Sequence, residues 1–168
     1  GYVPQEVFLF PHTISNNISF ALNKSNKEQV FAAARNAAVY DNIQAFPHGF
    51  ETTIGERGIT LSGGQKQRVS IARAIIKEPN IMVFDDCLSA VDTKTEEEIL
   101  SNLGKVMENK TSVIISHRVS SIKNADKIFV IDNGKIIESG YHEALLEQKG
   151  EYSELYEKQL LEEEEITE

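Results

Sequence analysis

The run Leu61–Gln65 reads Leu-Ser-Gly-Gly-Gln and passes directly into a helix-forming stretch, Lys66–Ala74. Two glycines without side chains let backbone amides approach an anion closely. The free N–H groups and dipole of a helix that starts there favour phosphate oxygens. Ser62 adds a hydroxyl donor. The same run is equally compatible with a plain glycine-rich helix start capped by Ser62. A second place for chemistry is Ile81–Asp86, an apolar run ending in two carboxylates. Carboxylates drawn into a buried strand end are costly unless a cation or hydrogen bonds compensate them. A magnesium nucleotide supplies that cation: Asp85 would hold the metal, directly or through water, and Asp86 would face an attacking water. The plainer alternative is that both acids end the strand and cap the next turn. His117 closes a further apolar run; alone, it reads as a polar residue at a strand end.

The elements that must carry these residues follow from periodicity and breakers. Pro4 and Pro11 oppose a helix in the first 20 residues, which read as a strand end and then an irregular apolar loop. Asn26 is the N-cap of a helix expected over Lys27–Val39, with Val30, Ala34, Ala37 and Ala38 on one face. Ala45–Thr60, with Pro47, Gly49, Gly55 and Gly58, reads as loop. A helix from Gly64 to about Lys77 buries Val69, Ala72, Ile75 and Ile76, and Pro79 ends it. Ile81–Phe84 reads as a buried parallel strand, and Ser112–Ser116 as another strand. Helices are expected over Thr93–Met107 and near Val119–Ile122. A hairpin joins Lys127–Asp132 to Lys135–Ser139 through Asn133-Gly134. Helices near Tyr141–Gln148 and Tyr152–Leu161 follow, then a solvated acidic run, 162–168. Tyr152, Leu155 and Tyr156 are read as packing, and so is Cys87. Alternating strands and helices predict an α/β architecture with a parallel sheet. Asp85, Asp86 and His117 all fall at the strand ends where such sheets bind ligands.

Composition narrows the partners. The net charge of -9 disfavours a general nucleic-acid binder and an electrostatic clamp on anionic lipid. One cysteine forms neither an internal disulfide nor a zinc cluster. No apolar run approaches the roughly 20 residues of a membrane span.

Taken together, these segments resemble the ABC ATPase family, over nearly the whole chain. Val3–Gln5 resembles its Q-loop, and Thr52–Gly58 the loop before the signature in exporters. Leu61–Gln65 looks like the signature, Ile81–Asp86 the Walker B strand, Ser89–Asp92 the D-loop, and Ile114–Arg118 the segment of the switch histidine. The resemblance implies a partial P-loop NTPase fold over 1–161, with a helical signature subdomain at about 12–78 and core strands and helices at about 79–161. It implies ATP and Mg2+ as ligands. Asp86, His117 and Gln5 would be catalytic, and Asp85 and Gln5 would attend the metal. Leu61, Ser62, Gly63, Gly64, Gln65 and Asp92 would contact nucleotide or the opposite subunit. Two such domains face head to tail, so the signature would complete the partner's site. Glu56 and Val7–Phe10 would lie near the coupling loops of an exporter's transmembrane domain, at the cytoplasmic face of a cell membrane (the inner membrane in a bacterium).

Two departures from the family stand out. A phosphate loop, G-x-x-x-x-G-K-[ST], is absent from these 168 residues. The chain is therefore expected to be the C-terminal two-thirds of the domain and to bind ATP weakly or not at all by itself. Its sheet is expected to show an open edge, to take an exchanged strand from a partner, or to be cut from a longer chain. The second departure is Asp86, where the family usually has glutamate. That shortfall suggests one half of a heterodimer with one slow site; a homodimer with two slow sites is the other reading. A soluble ABC-type ATPase acting on ribosome or nucleic acid, and a non-catalytic half completing a partner's site, are the remaining alternatives.

Overall fold

The computed structural model describes residues 1–24, 26–55 and 61–167, which fall into two compact units, Gly1–Ile115 and Ser116–Glu168. Glu56, expected near the coupling loops, lies outside the described residues, as does the rest of that motif through Gly58.

The first unit opens with β1 (Tyr2–Val3), then α1 (Ile14–Ser19), α2 (Lys27–Asn36), α3 (Tyr40–Gln44) and a 3-10 turn at Gly49–Glu51. It continues with α4 (Gly63–Ile75), β2 (Ile81–Asp85), α5 (Thr93–Met107) and β3 (Thr111–Ile115). The strands form one parallel sheet in the order β1-β2-β3, with Tyr2 beside Val83 and Asp85 beside Ile115. Side chains alternate across a strand, so the register sorts them into two faces. Val3, Met82 and Phe84 are buried beneath the helices. Tyr2, Ile81, Asp85, Val113 and Ile115 share the other face, where Ile81 is 61% and Ile115 49% exposed. Parallel sheets are ordinarily covered on both faces. The expected open edge is thus accompanied by an open apolar face.

The helical layer packs around α4, whose Val69, Ile71, Ala72 and Ile75 are buried, with Ile76 beyond its end. Arg73, on the same helix, reaches across the layer. Its guanidinium donates to Asn17 O at 2.9 Å, Asn17 Oδ1 at 2.7 Å and Phe8 O at 2.9 Å, and lies over the Phe10 ring. Burial lowers its pKa, and these acceptors satisfy the charge it retains.

In the helical layer of this unit, three expectations need correction. The loop expected after Pro11 contains α1, because Thr13 caps it through Asn16 N and Ile14 and Ile18 are fully buried. The helix expected to reach Val39 stops at Asn36, since Ala38 turns left-handed at φ 51°, and α3 begins just beyond. The helix expected from Gly64 begins one residue earlier, with Ser62 as cap, and ends at Ile75.

The second unit holds α6 (Val119–Ile122), the antiparallel hairpin β4 (Ile128–Asp132) and β5 (Lys135–Gly140), α7 (His142–Gln148) and α8 (Glu151–Thr167). Its small core joins Val119, Ile128, Leu145 and Tyr152, with Tyr156 packed against them. Leu155, expected to pack, is 40% exposed. Helix α8 continues past Leu161 into the acidic run. Among the described residues, no helix is long and apolar enough to cross a membrane.

Candidate functional site

The carboxyl end of β2 brings three of the expected residues together. Asp86 N donates to Ile115 O at 2.8 Å, extending the ladder one residue past the strand, and the backbone then turns left-handed at φ 43°. Aspartate tolerates that conformation better than most side chains. The turn presents the Asp86 carboxylate to Gln5, whose Nε2 donates to Asp86 Oδ2 at 3.1 Å across 81 residues of sequence. Asp85 stays on the open face of the sheet and accepts from the Tyr2 hydroxyl at 3.0 Å. That hydrogen bond, more than desolvation or charge, raises the Tyr2 pKa. Sequence reasoning missed Tyr2, because its partner lies 83 residues away and no local signal joins them.

The glycine-rich helix start forms a capping box. Ser62 Oγ accepts from Gln65 N at 3.2 Å, and Gln65 Oε1 accepts from Ser62 N at 3.0 Å. The first helical bond, Lys66 N to Ser62 O, leaves Gly63 and Gly64 ahead of it. Leu61 is buried and anchors the turn, while Ser62 and Gly63 are exposed. The capping and anion-binding readings are therefore compatible: the cap uses an acceptor lone pair of Ser62 and leaves the hydroxyl hydrogen available.

Ser89–Asp92 links these two groups. Ser89 Oγ donates to Asp86 O at 2.9 Å, and Ala90 N donates to Gln67 Oε1 of α4 at 3.2 Å. Asp92 caps α5 by accepting from Thr95 N at 3.0 Å. That backbone hydrogen bond is the first cause of a pKa held below the ordinary 3.8. A depressed carboxylate stabilises the fold above its unfolded pKa, and the contribution is lost as pH falls through the folded value. In Asp92→Ala, unfolding by urea should therefore show a flatter loss of stability between about pH 5 and pH 3. An unchanged slope would mean that the cap is not formed in solution.

His117 belongs to the second unit and is exposed. Its backbone is held by Gln159 of α8, which donates through Nε2 to His117 O at 2.7 Å and accepts from Val119 N at 2.8 Å. Gln159 gave no local signal, because its partners lie 42 and 40 residues away. Cys87 is buried and burial pushes its thiol up to about 12, so it stays neutral and packs. Around the expected Val7–Phe10 stretch the aromatic rings cluster. Phe8 meets Phe10 edge-on at 5.2 Å, and Phe10 stacks on Phe20 at 4.4 Å; Phe8 and Phe20 are both largely exposed.

For a magnesium nucleotide the donor set is suitable. Among the described residues no cluster of three or more His, Cys, Asp or Glu forms a protein-only metal cage. Magnesium characteristically takes one or two carboxylates and completes its shell with water and phosphate oxygens. Asp85 offers one such carboxylate, and Gln5, whose amide meets the adjacent Asp86, carries an amide oxygen that is also a hard donor.

The family model for ABC transporters matches residues 1–89. The chain is 49% identical over 159 residues to ATP-binding cassette sub-family B member 6 of Mus musculus, covering 95% of this chain and 19% of that protein. It is 44% identical over its full length to the ATM1-type heavy metal exporter of Novosphingobium aromaticivorans, covering 28% of that protein. The ATP-dependent lipid A-core flippase of Methylobacillus flagellatus is 48% identical over 94% of this chain and 27% of the flippase. Among solved structures, a bacterial Atm1-family ABC exporter with ATP bound superposes with a TM-score of 0.90 at 44% identity, over 95% of this chain and 28% of that one. The chain thus spans about a fifth to over a quarter of the length of these relatives.

Proposed function

The chain belongs to the ABC transporter family, and from that premise we propose that it is part of the ATP-binding and hydrolysing subunit of an exporter, coupling ATP hydrolysis to transport across a membrane. The observation that carries this reading is the meeting of Gln5 with Asp86 at 3.1 Å beside Asp85 at a parallel strand end. Relatives named as exporters and a flippase support the direction of transport.

In this reading, residues about 12–78 form the signature subdomain and about 79–161 belong to the nucleotide-binding core. Further segments of a longer polypeptide, including a phosphate loop, cover the open face of the sheet at Ile81, Val113 and Ile115. Asp85 and the Gln5 amide oxygen would hold magnesium, which would supply charge neutralisation at the phosphates of the bound nucleotide. Asp86 orients a water for attack on the γ-phosphorus as the bond to the ADP oxygen breaks. His117, on the second unit, takes the γ-phosphate contact that the resemblance implies. Ser62, Gly63 and Gly64, supported by Leu61 and Gln65, complete the site of a second ATPase domain, and Asp92 meets that domain across the interface. Catalysis is then mainly positioning and charge stabilisation.

The exposed rings of Phe8 and Phe20, joined through the half-buried Phe10, support docking of a transmembrane domain at the cytoplasmic face of the membrane, and Arg73 ties that cluster to the signature helix. Nucleic acid has no place in this reading, given the net charge of -9. Asp86, one methylene shorter than glutamate, favours a heterodimer in which this chain's signature serves the faster site. A homodimer with two slow sites is the second reading.

The test is a structure of the complete protein trapped with Mg-ATP, together with its rate of hydrolysis. The expected result is magnesium-dependent turnover and a dimer with Ser62–Gly64 against the partner's triphosphate. A paired, nucleotide-loaded protein with those residues remote from any phosphate would overturn the assignment.

A further inference from the structure

The turn that follows the acid pair is fastened to the glycine-rich helix of the same chain. Ser89 Oγ closes onto Asp86 O at 2.9 Å, and Val91 N onto Leu88 O at 3.0 Å, so Asp86–Val91 is tightly folded. Leu88 and Val91 are buried and root it in the core. At its tip Ala90 meets α4 through both of its backbone polar groups. Ala90 N donates to Gln67 Oε1 at 3.2 Å. Ala90 O lies so close to Gly64 that a Cβ there would come within 2.9 Å of it. Gly64 and Gln67 are three apart on one helix and so share a face. The absent side chain permits the approach, and the hydrogen bond fixes its orientation. Gln67 is 6% exposed, an uncommon setting for a glutamine, and the Ala90 amide gives its oxygen a partner.

We propose that Gln67 is a positioning residue that latches the turn after Asp86 to the first turns of α4, so that this chain's own acid pair and the Ser62–Gly64 segment serving the partner's site move as one body. The inference rests on the two-site reading above. Gln67 touches no nucleotide in this scheme. It acts through Ala90, and a displacement of the Asp86 backbone passes to Ser62 through the turn and the helix instead of being absorbed by slack between them. Gly64 alone cannot do this, because close contact resists compression and not separation. The hydrogen bond supplies the pull.

The experiment compares Gln67→Met and Gln67→Glu in the complete, membrane-inserted transporter. Methionine matches the length of glutamine and lacks the amide oxygen; glutamate keeps an oxygen at the same reach. Turnover is measured over a range of Mg-ATP, alongside thermal melting. The expected result for Gln67→Met is a kcat lower by roughly tenfold, from misplacement well under 1 Å. The KM for ATP should stay within about twofold, because the loss falls on the closed state and not on initial binding. The melting temperature should stay near wild type, and Gln67→Glu should recover most of kcat. Gln67→Met at wild-type kcat overturns the latch. So does an equal loss in both variants accompanied by a lowered melting temperature, which would make Gln67 a packing residue only. A wild type that hydrolyses no ATP overturns the proposed function as well, whereas an active wild type with an indifferent Met variant overturns the latch alone.

Discussion

Replacing Asp86 by glutamate in the complete protein should raise ATP turnover at this chain's own site by up to about a hundredfold, the factor associated with a 1 Å error in placing a reacting group. The proton affinities of the two acids differ by only about 0.4 unit on the reference scale, so reach and not basicity decides. The local geometry adds a second readout of opposite sign. Asp86 sits at φ 43°, a conformation that a short acid tolerates and a longer side chain resists. Glutamate there should cost about 1 kcal/mol of stability. Gln5, now 3.1 Å from Asp86 Oδ2, must also give way to the longer carboxylate. Faster turnover with slightly lower melting is the expected pair of results. An unchanged rate in a folded protein would dismiss the short-carboxylate account.

Asp86 also shows what the sequence discloses and what it conceals. Its place at a strand end was legible, because the apolar run Ile81–Phe84 has acids on one side and Pro79 on the other. The same logic gave Thr93–Met107, Val119–Ile122 and the Asn133-Gly134 hairpin close to their observed bounds. Each is set by near neighbours: an N-cap at Asp92, a stripe through Ile99 and Leu103, a turn that needs positive φ at both central residues. Where local signals conflicted, the tertiary context decided. Pro11 argued against structure after it, yet Thr13 and two buried isoleucines form a short helix. Ala38 offers no reason to break a helix, and does so where Arg68 Nη1 takes its carbonyl. The partners that organise the site are more remote still. Tyr2 with Asp85, Gln5 with Asp86, and Arg73 with Phe8 and Asn17 span 56 to 83 residues. No periodicity encodes such pairs, and the motif resemblance named only some of their members.

Gly64→Ala should lose both stability and turnover, and two opposing magnitudes decide the sign. Alanine is favoured over glycine inside a helix by up to about 1 kcal/mol. At Gly64, however, the new Cβ would sit 2.9 Å from Ala90 O and 3.8 Å from a Val91 methyl. Ala90 O is backbone and Val91 is 5% exposed, so neither yields easily. Overpacking of this kind costs about 1–3 kcal/mol, which outweighs the propensity gain. Relief requires α4 and the Ala90 turn to separate by a few tenths of an ångström or more. That displaces Ser62 and Gly63 from wherever they meet phosphate, with an expected loss of turnover on the order of a hundredfold. Gly104→Ala is the control, since its Cβ would meet nothing within 4 Å and it lies on α5. That change should stabilise the protein by up to about 1 kcal/mol and leave turnover alone. Urea unfolding and ATPase rates on both variants test the argument together. If Gly64→Ala proves as stable and as active as wild type, the close approach of α4 to Ala90 does not exist in the working protein. The transmission of movement from Asp86 to Ser62 would then lose its mechanical basis, because a turn with room for an extra methyl can shift without moving the helix beside it.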